Sequence, residues 1–191
     1  MRKVILGLAV SLDGFIEGPN GEYDWCFTDQ DYGMREFFKR IDTIFIGRKT
    51  YEMTMKSDND STGKGPFSKI KQYVFSNTLK TVDKKSVLIS GKIETKVSKI
   101  KKEKGKDIWL FGGAGLTTSF INKKLVDEIM LAVHPILLGT GKPLFKDIQN
   151  RVELTLIDTK RFSSGLVQLS YELKSKSKTI LIAPPKKIRK K

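Results

Sequence analysis

IWLFGGAG, residues 108 to 115, sets four apolar side chains directly against a run with almost no side chains. An apolar run this short fits a strand buried on both faces better than a helix. Glycines at the start of a following helix let the backbone approach a ligand, and the unpaired N–H groups there, aided by the helix dipole, hold an anion. The segment therefore predicts a strand running into a helix, with Gly112, Gly113, Ala114 and Gly115 as a phosphate seat. The same glycines would also serve close helix-to-strand packing, and the run alone does not separate the two uses.

Two other strands end in the same way. TIFI (43–46) runs into Gly47-Arg48-Lys49-Thr50, and YVF (73–75) runs into Ser76-Asn77. If the three strands are parallel, their tips share one rim, where ligands bind in open α/β sheets. Ser76 and Asn77 suit phosphate oxygens, and Arg48 and Lys49 suit phosphate charge.

The rest of the chain supplies the sheet. VILGLAVSL (4–12) is a continuous apolar run that breaks at Asp13-Gly14, which predicts a strand in mid-sheet. From Thr28, a candidate N-cap with Asp31 three residues on, Met34, Phe37, Phe38 and Ile41 recur at helical spacing. A helix is expected after Gly47 to about Lys56, and a loop over 57–68. VLI (87–89) predicts a further strand, and 92–104 an amphipathic helix stopped by Gly105. EIMLAVHPILLG (128–139) reads as a sixth strand entering the glycine-rich TGKP. Then Val152, Leu154 and Leu156, and after the Ser164-Gly165 turn Val167, Leu169, Tyr171 and Leu173, alternate with polar residues. Such alternation predicts an antiparallel C-terminal hairpin with one dry face. The fold class is α/β, with a mostly parallel central sheet flanked by helices and an antiparallel hairpin.

The 191 residues are expected to form one domain over 1–173. No apolar run approaches the roughly 18 residues of a membrane helix. The start MRKVILGLAVSLDG is basic then apolar, yet it ends in a turn with no small-residue cleavage pattern, so it reads as a strand rather than a secretory signal. A single cysteine, Cys26, makes no internal disulfide, and a cytoplasmic setting is the default. Net charge is +15; residues 174–191 carry eight basic residues and no acid, which leaves +7 for the rest. That basic tail reads as a flexible, solubilising extension. An arm for nucleic acid is the other reading, without interleaved aromatic residues for base stacking to support it.

Several chemistries are excluded. From Gly113 a dinucleotide fingerprint meets Thr118 where its last glycine belongs, and no P-loop occurs. One histidine and one cysteine provide no metal site. There is no Gly-x-Ser-x-Gly elbow for acyl transfer.

Ala9, Ser11-Leu12-Asp13-Gly14-Phe15-Ile16, Trp25, Gly47-Arg48-Lys49-Thr50-Tyr51-Glu52, Ser76-Asn77, Gly112-Gly113-Ala114-Gly115 and His134-Pro135-Ile136-Leu137-Leu138-Gly139-Thr140-Gly141 together resemble the dihydrofolate-reductase-like superfamily. More narrowly, the chain resembles stand-alone relatives of the riboflavin-biosynthesis reductase (RibD C-terminal) domain, over about residues 2–173. The resemblance implies a single-domain dihydrofolate-reductase-like fold, an NADPH cofactor and a homodimer. It implies that Ala9 and Ile16 hold the nicotinamide carboxamide. Gly47, Arg48, Thr50, Ser76 and Asn77 would hold the adenosine 2′-phosphate and pyrophosphate, and Gly112 to Leu116 would cover the pyrophosphate. Arg48 and Ser76, being cationic and hydroxylic, favour NADPH over NADH.

The chain departs from the family at two points. Where folate-reducing members carry an acid after the tryptophan, Trp25 is followed by Asp29 and Asp31 in a shorter connection that aligns with either, and Phe111 stands where riboflavin-branch reductases often carry Glu before the glycine pair. Asp31 is the candidate proton donor, although as a first-turn residue it reads first as a helix cap. Asp13, Trp25 and Phe38 are candidate substrate contacts, Asp13 being also a turn former and Trp25 also a filler of the core edge. His134 is either a proton source or a histidine paired with backbone. The expected activity is NADPH-dependent hydride transfer to a C=N or C=O bond of a small heterocyclic or sugar-like substrate, similar to 5-amino-6-(5-phosphoribosylamino)uracil reductase. The rival is a non-catalytic nucleotide-binding or nucleic-acid-associated module that uses the basic tail.

Overall fold

The computed structural model describes residues 1–57 and 70–174. The expected loop at 57–68, apart from Ser57, and the tail, apart from Lys174, lie outside the described residues. In chain order the elements are β1 (Val4–Ser11), β2 (Phe15–Glu17), α1 (Met34–Arg40), β3 (Ile41–Gly47), α2 (Arg48–Ser57), β4 (Lys71–Phe75) and β5 (Ser86–Ile89). They continue with α3 (Ile93–Lys102), β6 (Asp107–Gly112), α4 (Ala114–Asn122), β7 (Glu128–His134), β8 (Lys142–Pro143), β9 (Leu154–Arg161) and β10 (Val167–Leu173).

Eight strands form one sheet in the order β5-β4-β3-β6-β1-β7-β10-β9, and β2 pairs with β8 in a small second sheet. The run from β5 to β7 is parallel, whereas β10 lies antiparallel to both β7 and β9. β1 sits in the middle, as its apolar run predicts. The alternation of strand side chains then fills two layers. On one face Val4, Leu6, Phe45, Phe75 and Leu110 pack with Val97 and Ile100 of α3 and Phe120 of α4. Phe45, Phe75 and Phe120 meet edge to face at 5.1–5.8 Å. On the other face Ile5, Ile44 and Trp109 pack under Phe37 of α1, and Ile46 and Val74 under Tyr51 of α2. Truncating a fully buried residue such as Phe45 to alanine would cost about 3–5 kcal/mol.

Charge closes the N-terminal rim of the sheet. Arg40, at the end of α1, forks onto Glu128 at 2.7 and 2.6 Å and reaches Asp107 at 2.9 Å. Glu128 is only 2% exposed, so this pair is what allows a carboxylate to sit there. The opposite rim, where the parallel strands end, is left for chemistry.

Three expectations are corrected. The helix expected from Thr28 starts six residues later, at Met34. Tyr32 (φ 47°) and Gly33 (φ 79°) both lie in the left-handed region, which a helix through 28–33 could not accommodate. The sixth strand stops at His134, because Pro135 offers no N–H and Ile136 turns back to accept from the Leu12 N–H at 2.9 Å. Finally, β9 has no dry face: all eight of its residues are exposed, Leu154, Leu156 and Ile157 among them. It is the terminal strand, paired only to β10, and nothing among the described residues covers it.

Candidate functional site

The three strand tips lie side by side. Gly47 ends β3 level with Phe75 of β4, and Ile46 pairs with Gly112 of β6. A Cβ on Gly47 would stand 3.4 Å from the Gly112 carbonyl oxygen and 3.6 Å from Leu116. Thr50, in the first turn of α2, accepts the Gly113 N–H through its hydroxyl at 3.1 Å. Gly112 has φ 96°, and the Gly112–Gly113 peptide is cis. In α4 the Thr117 N–H makes the first helical bond, to the Gly113 carbonyl at 3.0 Å. The N–H groups of Ala114, Gly115 and Leu116 therefore precede any carbonyl the helix could offer them. A Cβ on Gly115 would meet nothing within 4 Å, so the first turn faces open space. Donors left open in this way suit an anion.

The flanking polar groups shape the same rim. Arg48 pairs with Glu52 one turn on at 3.0 Å, both side chains being about 40% exposed, so the guanidinium reaches solvent beside the seat. Ser76 folds the turn after β4 by accepting the N–H groups of Thr78 and Leu79, and Asn77 accepts the Gly91 N–H at 2.9 Å. Lys142 was not singled out in the sequence. Its ammonium bonds both oxygens of Glu17 at 2.9 and 3.0 Å and lies 3.9 Å from where a Cβ on Gly113 would stand. The glycine-rich TGKP run explains its place. A Cβ on Gly141 (φ 144°) would fall 2.2 Å from the Glu17 carbonyl oxygen, so only glycine lets β8 close on β2 and bring Lys142 over the seat.

Beside the seat, the middle of the sheet is open. Leu8 and Ala9 of β1 and Met130 to Val133 of β7 are only partly buried, although both strands have neighbours on each side. Ile5 faces α1, so Gly7 and Ala9 face the same way, and Ala132 is level with Ala9. Ile16 sits on β2 at the near edge, paired through its neighbours to β8. Over the end of β7, Trp25 and Phe27 lie 5.3 and 5.0 Å from the His134 ring. Phe38 packs edge-on to Trp109 at 5.8 Å, among the partly buried residues of the α1 layer, and Phe111 meets Trp109 at 4.8 Å.

The titratable candidates are engaged structurally. Asp31 accepts the Arg35 N–H at 3.1 Å and pairs with its guanidinium, which is the helix-capping role of the two the sequence allows. Asp13 accepts from the Ser11 hydroxyl and from the N–H groups of Gly139 and Leu138, fastening the loop after β7 to the end of β1. The Ser11 bond, with those backbone donors, holds its carboxyl below the usual range. His134 is 2% exposed; its Nε2 accepts the Phe27 N–H at 3.1 Å and its Nδ1 meets the Ala132 carbonyl at 3.0 Å. That fixes the Nδ1–H tautomer, and burial lowers its pKa. A neutral ring with both nitrogens occupied has no proton to give. Burial pushes the Cys26 thiol up to about 11, so it stays protonated.

Residues 2–168 match the family of the RibD C-terminal domain. The chain is 48% identical over 177 residues, 89% of its length and 94% of the relative's, to the uncharacterized protein YyaP of Bacillus subtilis. Its fold superposes on a putative riboflavin biosynthesis protein from Shewanella sp. PV-4 with a TM-score of 0.80 at 27% identity, covering 91% of this chain and all of that one. It also superposes on dihydrofolate reductase from Enterococcus faecalis complexed with NADP(H), with a TM-score of 0.63 at 17% identity over 91% and 97% of the two chains; here the likeness is one of fold.

Proposed function

Because the chain belongs to the RibD C-terminal domain family, which shares the dihydrofolate-reductase-like fold, we propose that it is an NADPH-dependent reductase of a small, flat heterocyclic or sugar-like substrate. The observation that carries the reading is the convergence of Thr50, Gly113 and the open first turn of α4 on one spot, with Arg48 and Lys142 beside it. Donors and cations of this kind fit a pyrophosphate and a further phosphate. Arg48, Thr50, Ser76 and Asn77 would hold the adenosine side, Gly112 to Leu116 with Lys142 the pyrophosphate, and the backbone at Ala9 and Ile16 the carboxamide. When bound, the dihydronicotinamide supplies hydride to a C=N or C=O bond.

The chain's own residues supply the rest. The alanine floor at Ala9 and Ala132 leaves room for a ring over the open middle of the sheet. Trp25 and Phe27 close that space from above and limit water. His134 anchors the Phe27 backbone and keeps that cover in place. With Asp31, Asp13 and His134 all engaged, the proton is drawn from solvent. A homodimer is part of the proposal, supported by Leu154, Leu156 and Ile157 of the edge strand β9, which nothing among the described residues covers, an edge that soluble proteins rarely leave bare.

Titrating the protein with NADPH and NADH while following nicotinamide fluorescence, then adding candidate heterocycles, tests the reading. Tight NADPH binding followed by oxidation supports it; salt-sensitive binding to RNA or DNA without cofactor binding would favour a non-catalytic module.

A further inference from the structure

Gln168 lies on β10, level with Ala132 of β7, which is itself level with Ala9 of β1. At about 4.8 Å per strand, its backbone is about 10 Å across the sheet from Ala9, with one alanine between. Gln168 is only 8% exposed and its amide has no hydrogen-bond partner among the described residues, yet the amide is not one of the polar groups sealed from solvent, so what it faces is the remaining open space. Both polar atoms of the amide stand 3.8–3.9 Å from where a Cβ on Gly33 would be, so the glycine leaves them uncrowded. Aromatic rings wall this region: Tyr32 meets Phe162 at 5.0 Å and Phe27 at 6.2 Å. The indole N–H of Trp25, also in this wall, is buried without a partner. Sealing the Trp25 indole N–H away unpaired is costly, and a carbonyl or a water that reaches it would remove that cost.

We propose that Gln168 is a specificity-determining residue that reads a cyclic amide edge of the substrate, its Nε2–H donating to a ring carbonyl and its Oε1 accepting the adjacent ring N–H. A primary amide matches a lactam atom for atom, one donor and one acceptor side by side. The Trp25 indole N–H offers a donor for a second carbonyl. The ring would lie over Ala9 and Ala132, between the nicotinamide position and Gln168. This inference rests on the reductase reading for the position of the cofactor.

The test compares pteridine-2,4-dione with its 1,3-dimethyl derivative, whose lactam N–H groups are methylated, by equilibrium fluorescence titration of protein saturated with NADP+. Wild-type protein is expected to prefer the dione by at least about tenfold, and Gln168→Met to erase that preference while binding the dimethyl compound as before. Because methionine keeps the volume and removes an amide that bonds nothing in the described protein, the variant's Tm should stay close to that of wild type. Failure to take up NADP+ would count against the reductase reading, and the two diones would still test Gln168 in the cofactor-free protein. The inference is overturned if wild-type protein does not distinguish the two diones, if Gln168→Met keeps the distinction, or if that variant melts several degrees lower or fails to fold, which would make the amide structural.

Discussion

The Thr50 hydroxyl accepts the Gly113 N–H at 3.1 Å, tying the first turn of α2 to the turn that opens α4. Gly113 thereby spends its donor inside the protein, and the seat presents the N–H groups of the next three residues instead. Replacing Thr50 with valine keeps the shape and leaves a part-buried N–H unpaired, at a cost of about 1–2 kcal/mol. We expect Tm to fall by a few degrees and NADPH affinity by about tenfold in calorimetric titration, with Thr50→Ser retaining both.

Lys142 and Glu17 predict changes of opposite sign. In the free protein the carboxylate holds the ammonium beside Gly113. Lys142→Gln should weaken NADPH and NADH by the same factor, since both carry the pyrophosphate. Glu17→Gln should tighten both by releasing the cation, and neither variant should alter the affinity of 2′-AMP, which lacks the pyrophosphate. Equal affinities across wild type and both variants would remove Lys142 from the seat.

His134 predicts a pH dependence. Its folded-state pKa lies below the ordinary value of 6.5 because the ring is buried, so the unfolded chain takes up the proton first as pH falls. The stability it contributes is complete above about pH 6.5 and declines below that value towards the folded pKa. Thermal melts from pH 7.5 to 5 should show Tm dropping more steeply for wild type than for His134→Gln, whose baseline is lower but flatter. Parallel curves would contradict the assignment.

The β9 surface predicts association. Leu156 is 53% exposed on β9, the edge strand of the eight-stranded sheet. Light scattering coupled to gel filtration should give twice the chain mass for wild type and the chain mass for Leu156→Lys, with far-UV circular dichroism unchanged. A monomeric wild type would remove the dimer from the proposal.

Much of this was legible in the sequence because the parallel strands are buried on both faces and read as plain apolar runs, as in VILGLAV and IWLF. Shared strand tips follow once the strands are parallel, which is why Gly47, Ser76 and Gly113 could be grouped beforehand. What escaped has specific causes. β2 and β8, three and two residues long, are too short to show a period. The start of α1 was misplaced because Thr28 and Asp31 imitate a capping box, whereas the left-handed pair Tyr32-Gly33 delays the helix. The alternation in β9 was real, but alternation does not say whether anything covers the apolar side. Lys142 carries no local pattern, and the alternation in β10 puts Gln168 on the wet side although it is buried; their meaning comes from Glu17, 125 positions from Lys142, and from Gly33 at the entry to α1.

The most direct measurement is the dissociation constants of NADPH and NADH for wild type and Arg48→Ala under one buffer and salt. The account predicts that wild type binds NADPH at least about tenfold more tightly than NADH, as charge-assisted bonds to one extra phosphate allow, and that Arg48→Ala narrows the ratio with NADH affinity unchanged. Equal affinities in wild type, or no binding of either, would contradict it.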